Sequence, residues 1–290
     1  MKINVVQLRQ YLTKDSYFVV DHLRLFYHAL KDLGHCVDTP IMPQVNELNI
    51  IWDVGCLGED DLKTLLPHAN QCIVVTQAPY CSISEPNNWS SFLSSPPSKL
   101  KALQEFLGAV RGIWTPYSVN VDFLSPYNQV HHYRMGHHPI LHYKHQKSEY
   151  KWLMTICGQH TAQRAAIANS IVQQIPQTIS TLGLPHLHRD ATLHQSLFQL
   201  VLPFDFNHNF YNTPLEACTG FFHNIPTLFV QTPFQELDDH DGFKLSSLDE
   251  LLPKLNEYLH KPRTDFEIKR DLFLNRPFSQ IASQLLEQTL

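Results

Sequence analysis

The stretch HNFYNTPLEACTGFFHNIPTLFV, His208 to Val230, decides how the rest of the chain is read. A polar, aromatic loop enters a helix of small residues that carries one carboxylate, Glu216. The helix breaks before Ile225-Pro226, and an apolar strand begins. Loop, short helix and strand form the repeating unit of an open α/β sheet, and they set Glu216 at the sheet rim. A carboxylate there can accept hydrogen bonds from paired ribose hydroxyls, as acidic residues do in dinucleotide folds. The loop N–H groups and the helix N-terminus favour a phosphate. Ala217 and Gly220 let the helix close onto the sheet. The bland alternative is a surface helix glutamate.

Working outward, the same alternation runs along the whole chain. INVVQL (Ile3–Leu8) reads as a buried strand. A helix follows with Val19, Leu23, Phe26, Leu30 and Leu33 at helical spacing, and Gly34 is placed to stop it. LNIIWDVG, QCIVVTQAP and VRGIWTPYS are further strands, separated by the helical stretches EDDLKTLLPHA and PSKLKALQEFLG. The pattern dissolves over Pro126–Lys147, which reads as a histidine-rich segment between domains. A second series starts at YKWLMTICG, continues through TAQRAAIANSIVQQI with Ala166, Ile167, Ile171 and Ile175 along one side, and reaches the opening stretch. SLDELLPKLNEYLHK follows, with Ser247 and Glu250 in a capping-box pattern. Strands alternating with helices predict parallel sheets covered on both faces. The expected architecture is α/β, with two Rossmann-like domains facing across a cleft. An N-terminal acceptor domain spans 1–145, a donor domain 146–275, and a last helix, 276–290, packs back on the first domain.

The bulk numbers narrow the function. The 290 residues carry a formal net charge of -5, which argues against a nucleic-acid partner. Six cysteines form no C-x-x-C pair, and most sit in apolar runs, as buried thiols of a reducing compartment do. No signal peptide and no apolar run of membrane-spanning length is present, so the expected location is cytoplasmic. His131, His132, His137, His138, His142 and His145 lack the order and the intervening carboxylates of a metal-binding motif. No metal and no cofactor are therefore expected.

TPLEACTGFFHNIPTLF resembles the P-x-x-E-A-x-x-x-G-x-P region of two-domain glycosyltransferases of the GT-B type. LGHCVD is similar to the G-H-x-V turn of that fold, and ICGQHTAQRAAI resembles the first strand-loop-helix of its C-terminal domain, nearest to the CgeB-like subgroup. The resemblance covers the whole chain as an order of elements, with its motif content confined to about 30 residues. It implies a GT-B-like fold and transfer of a sugar from a nucleotide-diphosphate donor to an acceptor. Glu216 would hold the donor ribose. Asn212, Thr213, Tyr211 and Asn209 would lie along the diphosphate, with Gly158 in the preceding loop. Arg164 would neutralise it. Retaining members often carry a glutamate eight positions before the one matching Glu216; here that position is His208, and FFHN lengthens the usual glycine-proline turn. An inverting reaction needs a base for the acceptor proton, and Asp53 and Asp15 stand at strand ends of the first domain. The rival readings are a non-catalytic nucleotide-sugar-binding or scaffold protein of the same fold, a nucleotide-sugar epimerase, and a DNA-modifying transferase. The donor, the acceptor, the stereochemical outcome and the oligomeric state stay open.

Overall fold

The computed structural model describes residues 1–8, 17–82, 85–142, 149–184, 186–206, 209–211, 213–232, 243–260 and 263–290. The side chains of 17–19, 92, 186, 187, 204–206, 209–211 and 243 are outside that description. The chain divides into two compact units. The first takes Met1–Met135 and Phe278–Leu290, and most of the residues between them form the second.

The first unit is a six-stranded sheet in the order β2-β1-β3-β4-β5-β6, parallel throughout. Its strands are β1 (Lys2–Val6), β2 (Cys36–Asp38), β3 (Leu48–Trp52), β4 (Cys72–Val75), β5 (Gly112–Thr115) and β6 (Val130–His132). The helices are α1 (Tyr17–Asp32), α2 (Glu59–Leu65), α3 (Ser91–Ser94), α4 (Pro97–Ala109) and α5 (Ser118–Leu124). β3, β4 and β5 are buried along their whole length, as a sheet covered on both faces requires. Gly34 ends α1 with φ of +80°, and the His35 N–H donates to the Leu30 carbonyl at 3.2 Å, a Schellman closure that a β-carbon would disfavour.

Phe26 centres the core of this unit. Its ring lies 4.9 Å from Trp52 and 4.7 Å from Phe278, both edge-on. Phe278 opens the last helix of the chain, Phe278–Thr289, which buries Ala282, Leu285 and Leu286. A fully buried Phe contributes about 1.5–3 kcal/mol relative to an exposed one, so this helix is part of the core. β6 corrects the sequence reading, which took Pro126–Lys147 as unpatterned. It is a three-residue edge strand, partly exposed and carrying two histidines, so no apolar run betrays it.

The second unit has a five-stranded parallel sheet in the order β13-β12-β9-β7-β8. The strands are β7 (Trp152–Cys157), β8 (Thr178–Ser180), β9 (Ser196–Val201), β12 (Thr227–Val230) and β13 (Phe243–Leu245), while β10 (Phe204–Phe206) and β11 (Asn209–Tyr211) make a separate pair. Its helices are α6 (Ala162–Gln174), α7 (His186–His194), α8 (Pro214–His223), α9 (Leu251–His260) and α10 (Thr264–Leu274); the last helix is α11. The chain passes from β7 outward to β8 and then crosses back to β9, so the strand order reverses between β7 and β9. Ligands of open α/β sheets bind at the carboxyl ends of the strands at such a point.

Two local readings change. The buried face of α6 is Arg164, Ala168, Ile171 and Ile175, not the face of Ala166, which is exposed. The steps of four, three and four residues are one helical stripe with an arginine in it. The capping box at Ser247 is shifted: its side chain accepts from the Asp249 N–H, while Glu250 accepts from the Ser246 N–H at 2.8 Å.

Candidate functional site

Three residues singled out in the sequence meet at the switch point of the second sheet. β7 ends at Cys157, and Gly158 turns the chain with φ of +131°. A β-carbon on Gly158 would stand 2.6 Å from Arg164 Nη1 and 3.2 Å from each Glu216 carboxylate oxygen. The glycine therefore serves close approach as well as backbone conformation. α6 starts four residues later, at Ala162, capped by Thr161, whose hydroxyl accepts from the Arg164 N–H at 3.1 Å.

Arg164 reaches across the sheet edge beneath this turn. Its Nη2 donates to the Leu202 carbonyl at 2.6 Å, Nε to the Pro203 carbonyl and Nη1 to the Gln159 carbonyl, each at 3.2 Å. Nη2 also lies 3.2 Å from Glu216 Oε2. The side chain is 1% exposed. This guanidinium ties the loop after β7 to the end of β9 and holds Glu216; it is enclosed by protein acceptors.

Glu216 lies in the first turn of α8, where a carboxylate complements the partial positive charge of the helix N-terminus. Oε1 accepts from the Gln159 N–H at 3.1 Å, and the side chain keeps 10% exposure. A carboxylate offers about four lone-pair directions. Among the described residues two are occupied, which leaves capacity for ligand hydroxyls. α8 is seated by buried Gln199, whose Nε2 donates to the Glu216 carbonyl at 3.0 Å and whose Oε1 accepts from Thr227 at 3.2 Å. Gly220 faces Thr227 and the Ile225 carbonyl so closely that no β-carbon fits. The FFHN segment closes through Asn224, which adopts the left-handed conformation that glycine usually supplies.

Thr213 is the buried N-cap residue of α8. Asn209 and Tyr211 belong to β11, with side chains outside the described set. Asn212, His208 and Asp15 lie outside the described residues. Behind the site, Asp190 of α7 accepts twice from Arg189, at 2.8 and 2.7 Å, and lies 3.4 Å from His223 Nε2 of α8. Burial works to raise its proton affinity, yet His223 and Arg189 outweigh it and hold the carboxyl below the usual range.

In the first unit, Asp53 follows β3 at the carboxyl edge of its sheet. It is half-buried, with φ of 32° and ψ of 63°, a left-handed conformation costly for most residues but better tolerated by aspartate. Burial pushes its carboxyl up to about 6, against the opposing hydrogen bond from Tyr80, the charge of Lys99 and a hydrogen bond from the Gly55 N–H. Tyr80 Oη is 3.0 Å from Asp53 Oδ1.

No protein-family model matches the sequence, and no curated protein matches it. Solved structures do. A sucrose-phosphate synthase from Thermosynechococcus elongatus aligns over 99% of this chain and 98% of its own, with 11% identity and a TM-score of 0.63. An α-glucosyltransferase in complex with UDP and a 13-mer DNA containing an HMU base aligns over 100% and 99%, with 12% identity and a TM-score of 0.52. A putative UDP-N-acetylglucosamine 2-epimerase from Listeria monocytogenes aligns over 98% and 94%, with 10% identity and a TM-score of 0.50. The chain has the GT-B fold.

Among the described residues the histidines of this GT-B chain meet at most in a pair. His137 and His142 are hydrogen-bonded ring to ring at 2.7 Å, with Phe222 and Phe273 beside His137. His138 accepts from the Ile140 N–H, His131 and His132 lie in β6, and His145 is outside the described residues. Among the described residues no group of three or more His, Cys, Asp or Glu side chains is placed to hold a metal, and no helix is long and apolar enough to cross a membrane. Reading the sequence missed Gln199, Asp190 and Asn120 as buried polar anchors. A lone polar residue in a short helix or strand carries no sign of burial, and only Gln199, inside an apolar strand, offered a hint.

Proposed function

We propose that this chain is a glycosyltransferase that takes a sugar from a nucleotide-diphosphate donor. One observation carries the reading: Gly158, Arg164 and Glu216 meet at the switch point of the second sheet, with a carboxylate held rigidly and partly open. In this reading Glu216 accepts hydrogen bonds from the donor ribose. Arg164 acts through Glu216, fixing its carboxylate. The N–H groups of the loop after Gly158 and the N-terminus of α8 take the diphosphate, with Asn209, Tyr211, Asn212, Thr213 and His208 along it. Asp53 takes the acceptor proton, and Tyr80 stabilises its carboxylate in the charged form that can take it. The likeness to a sucrose-phosphate synthase and to a UDP-bound α-glucosyltransferase supports the donor class.

The test is thermal unfolding against a panel of nucleotides and nucleotide sugars, with the wild type beside Glu216→Ala. Ligand at about 100 times its Kd adds roughly 2.7 kcal/mol. A diphosphate nucleotide that raises the Tm of the wild type but not of the variant is the expected result. Hydrolysis and transfer assays with that nucleotide's sugar then separate an enzyme from a donor-binding protein. A panel without effect overturns the reading.

A further inference from the structure

Tyr80 is wholly buried, and its hydroxyl sits between two groups of opposite kind. The Gly55 N–H donates to Tyr80 Oη at 3.1 Å, and Oη lies 3.0 Å from Asp53 Oδ1. The amide can only donate, so the phenol proton points to Asp53. Oδ1 is therefore an acceptor, which favours Oδ2 as the oxygen where Asp53 takes or gives a proton.

The ring cannot drift. The Tyr80 N–H donates to Asn120 Oδ1 at 2.8 Å. Asn120 Nδ2 in turn lies 2.9 Å from the Ala78 carbonyl, 3.0 Å from Thr115 Oγ1 and 3.1 Å from Thr76 Oγ1. A β-carbon on Gly55 would meet Tyr80 Oη at 3.1 Å and Leu93 Cδ2 at 2.5 Å, so the turn after Asp53 is shaped around this phenol. The other groups acting on the carboxylate are Lys99, from α4, and the Gly55 N–H of the turn itself, while the Cys56 thiol donates to the Asp53 backbone carbonyl at 3.0 Å. A strained backbone at Asp53, a buried donor of fixed direction and a locked loop converge on one carboxyl group. Such strain persists where the surroundings over-determine it, and it concentrates at functional sites.

We propose that Tyr80 is the positioning residue of the acceptor side: it holds Asp53 Oδ1 and leaves Oδ2 as the base that takes the acceptor proton. The proposal rests on the transferase reading in its inverting form and deepens it. The acceptor O–H bond breaks, with its proton passing to Oδ2. The acceptor oxygen bonds to the anomeric carbon. The bond from that carbon to the diphosphate breaks, and its electron pair leaves with the nucleoside diphosphate. A hydrogen bond to the charged carboxylate favours ionisation, so Tyr80 keeps Asp53 a usable base near neutral pH against its burial.

The experiment has two arms on the full chain. In the first, the Asp53 carboxyl carbon is titrated by NMR in the wild type and in Tyr80→Phe, with Asp53→Asn assigning the resonance. In the second, donor turnover is followed against pH in the same proteins. Loss of the phenol is expected to raise the Asp53 midpoint by on the order of one pH unit. The acid limb of the rate profile moves with it, and Asp53→Asn abolishes that limb. An unmoved midpoint in folded Tyr80→Phe overturns the positioning role. A midpoint that moves while the acid limb stays overturns Asp53 as the base. A moved midpoint with no turnover for any donor supports the Tyr80–Asp53 coupling and instead sinks the transferase reading.

Discussion

Arg164 Nη2 lies 3.2 Å from Glu216 Oε2, and the same nitrogen lies 2.6 Å from the Leu202 carbonyl. One guanidinium thus joins the Glu216 carboxylate to the end of a neighbouring strand. The pair is enclosed, so its loss is felt in the fold before it is felt in binding.

Arg164→Ala leaves a buried carboxylate without its partner and strands three carbonyls. Breaking such a pair costs about 3–5 kcal/mol. Urea unfolding of the ligand-free protein is the check, and a loss below about 1 kcal/mol would mean that Arg164 is a surface group after all.

Gly158→Ala places a methyl 2.6 Å from Arg164 Nη1 in a conformation that L-residues avoid. The expected cost is about 1–3 kcal/mol, together with weaker nucleotide-induced stabilisation. The same substitution at Gly108, whose nearest outside atom is 3.8 Å away, serves as the control.

Gly220→Val drives a branched side chain into Thr227 and the Ile225 carbonyl. Since the carbonyl is backbone, α8 must lift off the sheet. Overpacking of this kind costs about 1–3 kcal/mol or more, read as a lower urea midpoint, and Glu216 is displaced with the helix.

Asp53→Asn is expected to stabilise the protein at pH 7. The folded carboxyl is pushed up to about 6, above its unfolded value of about 3.9. Folding therefore disfavours the charged form, and stability declines as pH rises from about 4 to 6. The variant escapes that decline, so its Tm advantage over wild type is present at pH 7 and lost below about pH 4. An equal difference at both pH values would remove the titration as the cause.

His137 predicts the opposite slope. Burial first, then His142, His138 and Arg270, push its ring down to about 4. The unfolded chain binds the proton near pH 6.5, so stability is full above that value and falls as pH drops toward about 4. Urea midpoints at pH 7 and pH 5 measure the fall, and His137→Gln should reduce it.

Much of the fold was legible because parallel sheets advertise themselves. β3, β4, β7 and β12 are apolar runs bounded by turns, and Gly34 stopped α1 where its position suggested. β6 was not legible, since a short edge strand needs no apolar run. Gly158 and Glu216 stood out by their places in a recurring strand-turn-helix pattern. Arg164 stood out by the same pattern, but its burial followed only from helical phase with Ala168, Ile171 and Ile175. Tyr80 follows directly on the strand run QCIVVTQAP. That its hydroxyl binds Asp53 depends on a contact across 27 residues, which no local pattern encodes.

The last helix completes the first unit. Phe278 packs on Phe26, and the Trp114 indole N–H donates to Thr289 at 2.8 Å. On the ribosome, the first unit therefore waits for its final piece until the second has been translated, an interval on the order of ten seconds. During that time Phe26 lacks the Phe278 ring and Trp114 the Thr289 acceptor. The second unit, with its own sheet already made, is the first that can finish folding.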